Sequence, residues 1–149
     1  MVNKLTSFLL GILVVAGFTL WYTNRPTQAS PDMFDLINTV REKSGMHILL
    51  RNRMLDESAR ERACDMVVWN YVGHTDSQGN DPWPVMERHG YIPKTAGENI
   101  IKSAALTDEE RMKKFMNSAS HSANILNGQF TEVGIGRCGD IVVQHFGRR

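Results

Sequence analysis

This sequence carries almost no surplus of charge: its 149 residues hold a formal net charge of +1, and nowhere do Lys or Arg gather into a run able to track a phosphate backbone. Nucleic acid is thereby excluded as a partner. Cysteine is as scarce, with only Cys64 and Cys138 present, enough for one bridge and no more. There is no internal repeat and no low-complexity stretch. A chain of this length has room for one domain of ordinary size with a real core, which excludes a multidomain architecture.

What is present begins with an uncharged segment between Lys4 and Arg25, almost wholly apolar from Phe8 onward. Its length matches the roughly 20 residues a helix needs to cross a bilayer. The amino terminus and Lys4 precede it, so the positive-inside rule keeps the N-terminus in the cytoplasm and sends everything after Tyr22 outside. Trp21 and Tyr22 stand where an interfacial aromatic belt would lie. Thr27-Gln28-Ala29 is a tolerable signal-peptidase site, while the apolar run is long for a cleaved signal. Residues 1–29 are therefore a membrane anchor or a signal peptide with a short linker, and residues 30–149 form a domain outside the cytoplasm. That domain is membrane-anchored if the segment is retained and secreted if it is cleaved. An oxidising compartment permits Cys64 and Cys138 to pair, and closing a loop of about 75 residues would stabilise by roughly 4 kcal/mol. Two independent buried thiols are the alternative, since sequence gives no distance between them.

Ser30-Pro31-Asp32 reads as a helix start, with Ser as cap and Pro at the first helical position, and the stripe of Met33, Ile37 and Val40 runs on to Gly45. A second helix is expected over residues 53–70, where Leu55, Ala59, Ala63 and Met66 share one face and Arg60, Glu61 and Arg62 cover others. Pro82 and Pro84 open a short helix closed by Gly90. Thr107-Asp108-Glu109-Glu110 is a capping box launching a helix through Met112, Phe115 and Met116, and residues 120–126 give a last helical turn or two. Strands are expected at residues 97–101, 130–137 and 140–146, the last two forming a hairpin through Cys138-Gly139. Helices first and an antiparallel pair last make an α+β sandwich. The methionines Met54, Met66, Met86, Met112 and Met116 read as core filler.

Ionisable side chains sit at the edges of these elements, where clefts are built: His74 in Gly73-His74-Thr75-Asp76, Glu98 in Gly97-Glu98-Asn99-Ile100, and His121 in Ser118-Ala119-Ser120-His121-Ser122-Ala123-Asn124. Their order and spacing resemble the CAP domain, the superfamily of cysteine-rich secretory proteins, venom antigens and plant pathogenesis-related proteins, and above all its short bacterial branch. The resemblance covers nearly all of residues 33–147. It includes Ile37-Asn38 with Arg41, the Leu55/Ala59/Ala63/Met66 helix, Gly90-Tyr91, Phe130-Thr131-Glu132-Val133-Gly134-Ile135-Gly136, and Val143-Gln144 with Phe146.

The resemblance implies a three-layer α-β-α sandwich with a small antiparallel central sheet and a cleft holding two histidines and acidic groups. Carried onto this sequence, it makes His74 and His121 ligands of a weakly held zinc or other divalent cation. Glu98 would stand beside the metal water as general base, with Asn99, Ser118 and Glu132 at the cleft. A second cleft glutamate is expected near Ser118, where this sequence has serine. The bland reading of His74 and His121 is that they hydrogen-bond Glu98 and hold the sandwich together. Ser118 or Ser120 beside His121 is a weak nucleophile signal, because triad logic is spatial. For Glu132 a solvated charge and a cleft-rim carboxylate stand equal, and His47, His89 and His145 default to surface or structural roles. The incomplete acidic set favours a non-enzymatic envelope module binding a lipid, a glycan or an envelope protein. The alternatives are a metal-assisted peptidase or esterase using His74, His121 and Glu98, and a purely structural domain.

Overall fold

The computed structural model describes residues 32–149. The uncharged segment between Lys4 and Arg25 and the Ser30-Pro31 pair lie outside them; among the described residues no helix is long and apolar enough to cross a membrane. Asp32 caps the first helix by accepting from the Asp35 backbone N–H at 3.0 Å, so α1 is Met33–Lys43 and the capping side chain is Asp32 rather than Ser30. Helix α2 (Arg53–Val68) starts at Asn52, whose Oδ1 accepts from the Met54 N–H at 2.9 Å, and buries the expected Leu55, Ala59, Ala63 and Met66. Helix α3 is Pro82–Arg88. Helix α4 (Asp108–Met116) has the full capping box between Thr107 and Glu110, and α5 (Ala119–Ile125) follows at once.

Four strands form one sheet in the order β1-β3-β4-β2: β1 is Leu50–Arg51, β2 Thr95–Lys102, β3 Glu132–Cys138 and β4 Ile141–Arg148. The three long strands are antiparallel, and Gly139 (φ 54°) turns the β3–β4 hairpin. Strand β1 pairs parallel with β3, so the sheet is mixed rather than antiparallel throughout. Two residues are too few to show an alternation, which is why the sequence pattern misses β1.

The sheet is the middle of three layers. On one face α2 lies across β3 and β4, with α3 packed against it; α1, α4 and α5 cover the other. The approach of α2 is very close. A Cβ on Gly134 would fall 2.1 Å from the Leu55 carbonyl carbon, and one on Gly136 2.0 Å from the Arg60 nitrogen, so only glycine fits at either place. Cys64 and Cys138 are joined by a disulfide with their Cα atoms 5.0 Å apart, fastening the far part of α2 to the hairpin. On the opposite face Met33, Ile37, Met112, Phe115, Ile125, Phe130, Val133 and Phe146 make the largest apolar cluster. Buried Arg41 meets backbone there, donating to the carbonyls of His47 (2.8 Å), Ile125 (2.7 Å) and Asn127 (3.0 Å).

Candidate functional site

Glu98 on β2 and His145 on β4 are register partners, so both side chains project to the face beneath α2, which brings Ser58 and Arg62 down to them. Glu98 Oε2 accepts from His145 Nε2 at 2.9 Å and from Arg62 Nε at 3.2 Å, and Glu98 Oε1 accepts from His74 Nδ1 at 2.8 Å. Arg62 also donates to Tyr71 Oη (3.0 Å) and to the Gly73 carbonyl (2.7 Å), which fixes the loop carrying His74. One buried guanidinium thus neutralises the carboxylate and positions the histidine it holds.

Burial alone would raise the Glu98 pKa, but His145, Arg62 and His74 outweigh it and hold the group below the ordinary carboxylate range. Burial likewise pushes the His145 imidazole down against the pull of Glu98, so the ring is neutral. A neutral ring that donates from Nε2 must accept at Nδ1; the Ser58 hydroxyl lies 2.8 Å from Nδ1 and 3.1 Å from the Leu55 carbonyl, and on a neutral ring its one hydrogen goes to Nδ1. Ser58 is fully buried, which rules it out as a nucleophile toward any external substrate.

His74 is the accessible end of this chain of bonds. A carboxylate only accepts, so a hydrogen is on Nδ1, and Nε2 is the ring nitrogen that Glu98 leaves unused. The cleft is about 370 Å³ in volume, and its lining includes His74, Glu98, Asp81, Trp83, Gly97 and Asn124. His121 lies close by on α5, its ring edge-on to Phe115 with centroids 5.3 Å apart. Its pKa is lowered by burial first and then by the His74 charge. Asn99 fastens α5 to the sheet: Nδ2 donates to the His121 carbonyl and to Gln144 Oε1, each at 3.0 Å, and Oδ1 accepts from Asn124 at 2.9 Å.

Of the expected site residues, His74 and Glu98 line the cleft; Asn99 is buried behind it on the His121 carbonyl, the His121 ring packs on Phe115, and neither these two nor Ser118 and Glu132 line it. Ser118 sits half-buried at the start of α5 with its Oγ 3.2 Å from that of Ser120. Glu132 accepts from Asn52 (2.8 Å), Tyr91 (2.7 Å) and Arg149 (3.0 Å), tying the start of α2 and the chain end to β3. A resident zinc takes three or four protein ligands. Here both Glu98 oxygens are occupied, and among the described residues no three His, Cys, Asp or Glu side chains converge as cation ligands. Two imidazoles do not fit such an ion.

Four contributors escaped the sequence reading. Arg62 counted among residues on outer helix faces, yet its side chain is 1% exposed. His145 counted as a default histidine, although Ile141, Val143 and His145 alternate onto one strand face, a pattern that already aimed it at the core. Asp81 and Trp83 carried no local signal.

A three-layer sandwich whose cleft joins a buried strand carboxylate to a loop histidine is matched by the CAP, or cysteine-rich secretory protein, family. That family matches residues 34–146, and the chain belongs to it. Over 129 residues it is 38% identical to the protein YkwD of Bacillus subtilis (strain 168), a match covering 83% of this chain and 50% of the relative. The chain thus spans half the length of that curated relative. Among solved structures it resembles an extracellular protein containing a SCP domain from Bacillus anthracis, with TM-score 0.75 and 27% identity over 78% of this chain and 39% of that one. It also resembles an outer surface protein of Borrelia burgdorferi, with TM-score 0.73 and 21% identity over 78% of this chain and 90% of the other, a likeness that shows the fold alone.

Proposed function

We propose that this chain is the binding domain of an exported protein, a non-enzymatic module that holds an envelope component in the His74 cleft. One observation carries the reading: across a single hydrogen bond the Glu98 side chain is 1% exposed and the His74 side chain 62%. A buried ion pair costs desolvation and is weak evidence for stability alone. Here it orients an accessible imidazole, which is what a ligand contact requires. Both Glu98 oxygens already accept hydrogen bonds, which weighs against its service as general base in a metal-assisted hydrolase. A divalent ion on His74 and His121 would be exchangeable, an accessory to binding. A place outside the cytoplasm is supported by the relatives described as extracellular and outer surface proteins and by the uncharged segment between Lys4 and Arg25. Retention of that segment would add the membrane as a partner.

The test is cosedimentation of the full chain with bacterial wall and membrane fractions. Wild type is expected to sediment saturably, and His74→Ala to lose most of that binding while keeping its circular dichroism spectrum. Equal sedimentation of the variant would defeat the reading. Turnover of peptide or ester substrates by wild type would reinstate the hydrolase.

A further inference from the structure

The cleft wall facing His74 is the start of α3, and its sequence leaves an unusual carboxylate. Helix α3 opens with Pro82 and has Pro84 two residues on, so two of its first three positions lack an N–H to be capped. Asp81, at the capping position, makes no side-chain capping bond and is exposed on the cleft it lines. Beside it Trp83, 37% exposed, lines the same cleft. The floor is Ala96-Gly97, where a Cβ on Gly97 would come within 2.9 Å of both Asn124 Oδ1 and the Phe130 ring. Glycine keeps that floor flat and lets the amide oxygen sit against it.

The polar groups left over are of one kind. Asn124 Nδ2 is taken by the Glu98 carbonyl and Asn99 Oδ1, and His74 Nδ1 by Glu98. Asn124 Oδ1 and the Asp81 carboxylate remain as acceptors, and His74 Nε2 joins them whenever the ring is neutral. A complementary ligand brings donors together with an apolar face for the indole. A pyranose ring does both, with C–H groups on its face and hydroxyls at its rim. A compact ammonium group also meets acceptors and an indole, but it fills little of about 370 Å³. Arg62 balances Glu98, which leaves Asp81 as the unbalanced charge among these lining groups and disfavours sulfated or phosphorylated sugars.

We propose that this cleft is a subsite for a neutral pyranose of an envelope glycan, packed on Trp83 with its hydroxyls donating to Asp81, Asn124 and His74. The proposal rests on the binding-module reading and names its ligand class. Titration calorimetry of the full chain with short neutral β-linked N-acetylhexosamine oligomers tests it, alongside a heparin oligosaccharide and a lysine-rich peptide. Saturable binding of the neutral oligomers is expected. Trp83→Ala should weaken it about tenfold, the scale of one aromatic contact, and Trp83→Phe should recover most of the loss. Trp69→Ala, an exposed tryptophan just past the C-terminal end of α2, should change nothing. Absence of saturation, equal binding by Trp83→Ala, or preference for heparin or the peptide overturns the proposal. If envelope sedimentation still depends on His74 while no sugar binds, only the sugar is refuted; if neither occurs, the module reading falls as well.

Discussion

Under α2 the sheet presents Gly134 and Gly136 to a helix whose facing residues are Leu55, Ala59 and Ala63, so backbone approaches backbone. On the opposite face Val133, Phe130 and Phe146 meet Met33, Ile37, Met112, Phe115 and Ile125, side chains long enough to hold the helices away from the strands. A groove of about 560 Å³ opens there between α1 and α4, lined in part by Leu36, Val40, Met112 and Met116. Charged groups differ in the same way. Arg41 on the groove side meets only neutral carbonyls and the His47 ring, whereas Arg62 under α2 meets a carboxylate that two histidines share. Close approach fixes side chains to within hydrogen-bond tolerance, and interiors packed at crystal density transmit displacement instead of absorbing it. The oriented histidine accordingly belongs to the tight face, and the adaptable volume to the loose one.

The contrast breaks most severely at the glycines. Gly136→Ala should cost more than about 5 kcal/mol, because the added carbon overlaps helix backbone, and should show as loss of soluble folded protein. Removing the disulfide with Cys64→Ala and Cys138→Ala should cost roughly 4 kcal/mol in urea denaturation. Arg62→Met strands a buried carboxylate and should cost about 3 kcal/mol, the low end for a broken buried pair, since His145 and His74 remain. In the same variant the His74 loop loses its tether, visible as faster amide exchange near Gly73. On the loose face Met112→Leu should cost less than about 1.5 kcal/mol; a larger loss would show that the groove side is as exacting as the other.

Acid sharpens the comparison. The folded state holds His145 below its ordinary pKa, so the unfolded chain takes up that proton first and stability declines as pH falls below about 6.5. Glu98 is also depressed in the folded state; its contribution is present above about 4.3 and is lost as pH falls through its folded value. Thermal melts from neutral to mildly acid pH should therefore show a decline that His145→Gln flattens. A variant with the wild-type slope would mean His145 is not the group that titrates.

The helices, the capping box at Thr107 and Glu110 and the hairpin at Gly139 were legible because each is local, encoded within a few residues. So was the pairing of His74 with Glu98, through family spacing. The support beneath it was not. Arg62 and His145 lie 36 and 47 residues from Glu98 in sequence, and a buried arginine looks like a surface one until its partner is placed. Strand β1 escaped for a related reason, since its pairing with β3 spans 82 residues from Leu50 to Glu132 and leaves no local periodicity. Asp81 and Trp83 acquire meaning only from the wall opposite.

The strand order carries a consequence for how the chain comes into being. Strands β3 and β4 follow β1 and β2 along the chain, yet they are the middle of the sheet, and β1 and β2 are its edges. An emerging chain therefore holds both edges with nothing to pair them until β3 and β4 have followed, and Glu98 waits equally long for His145. A chain stopping short of β3 and β4 lacks the centre of its sheet, and the cleft is completed only when the sheet is.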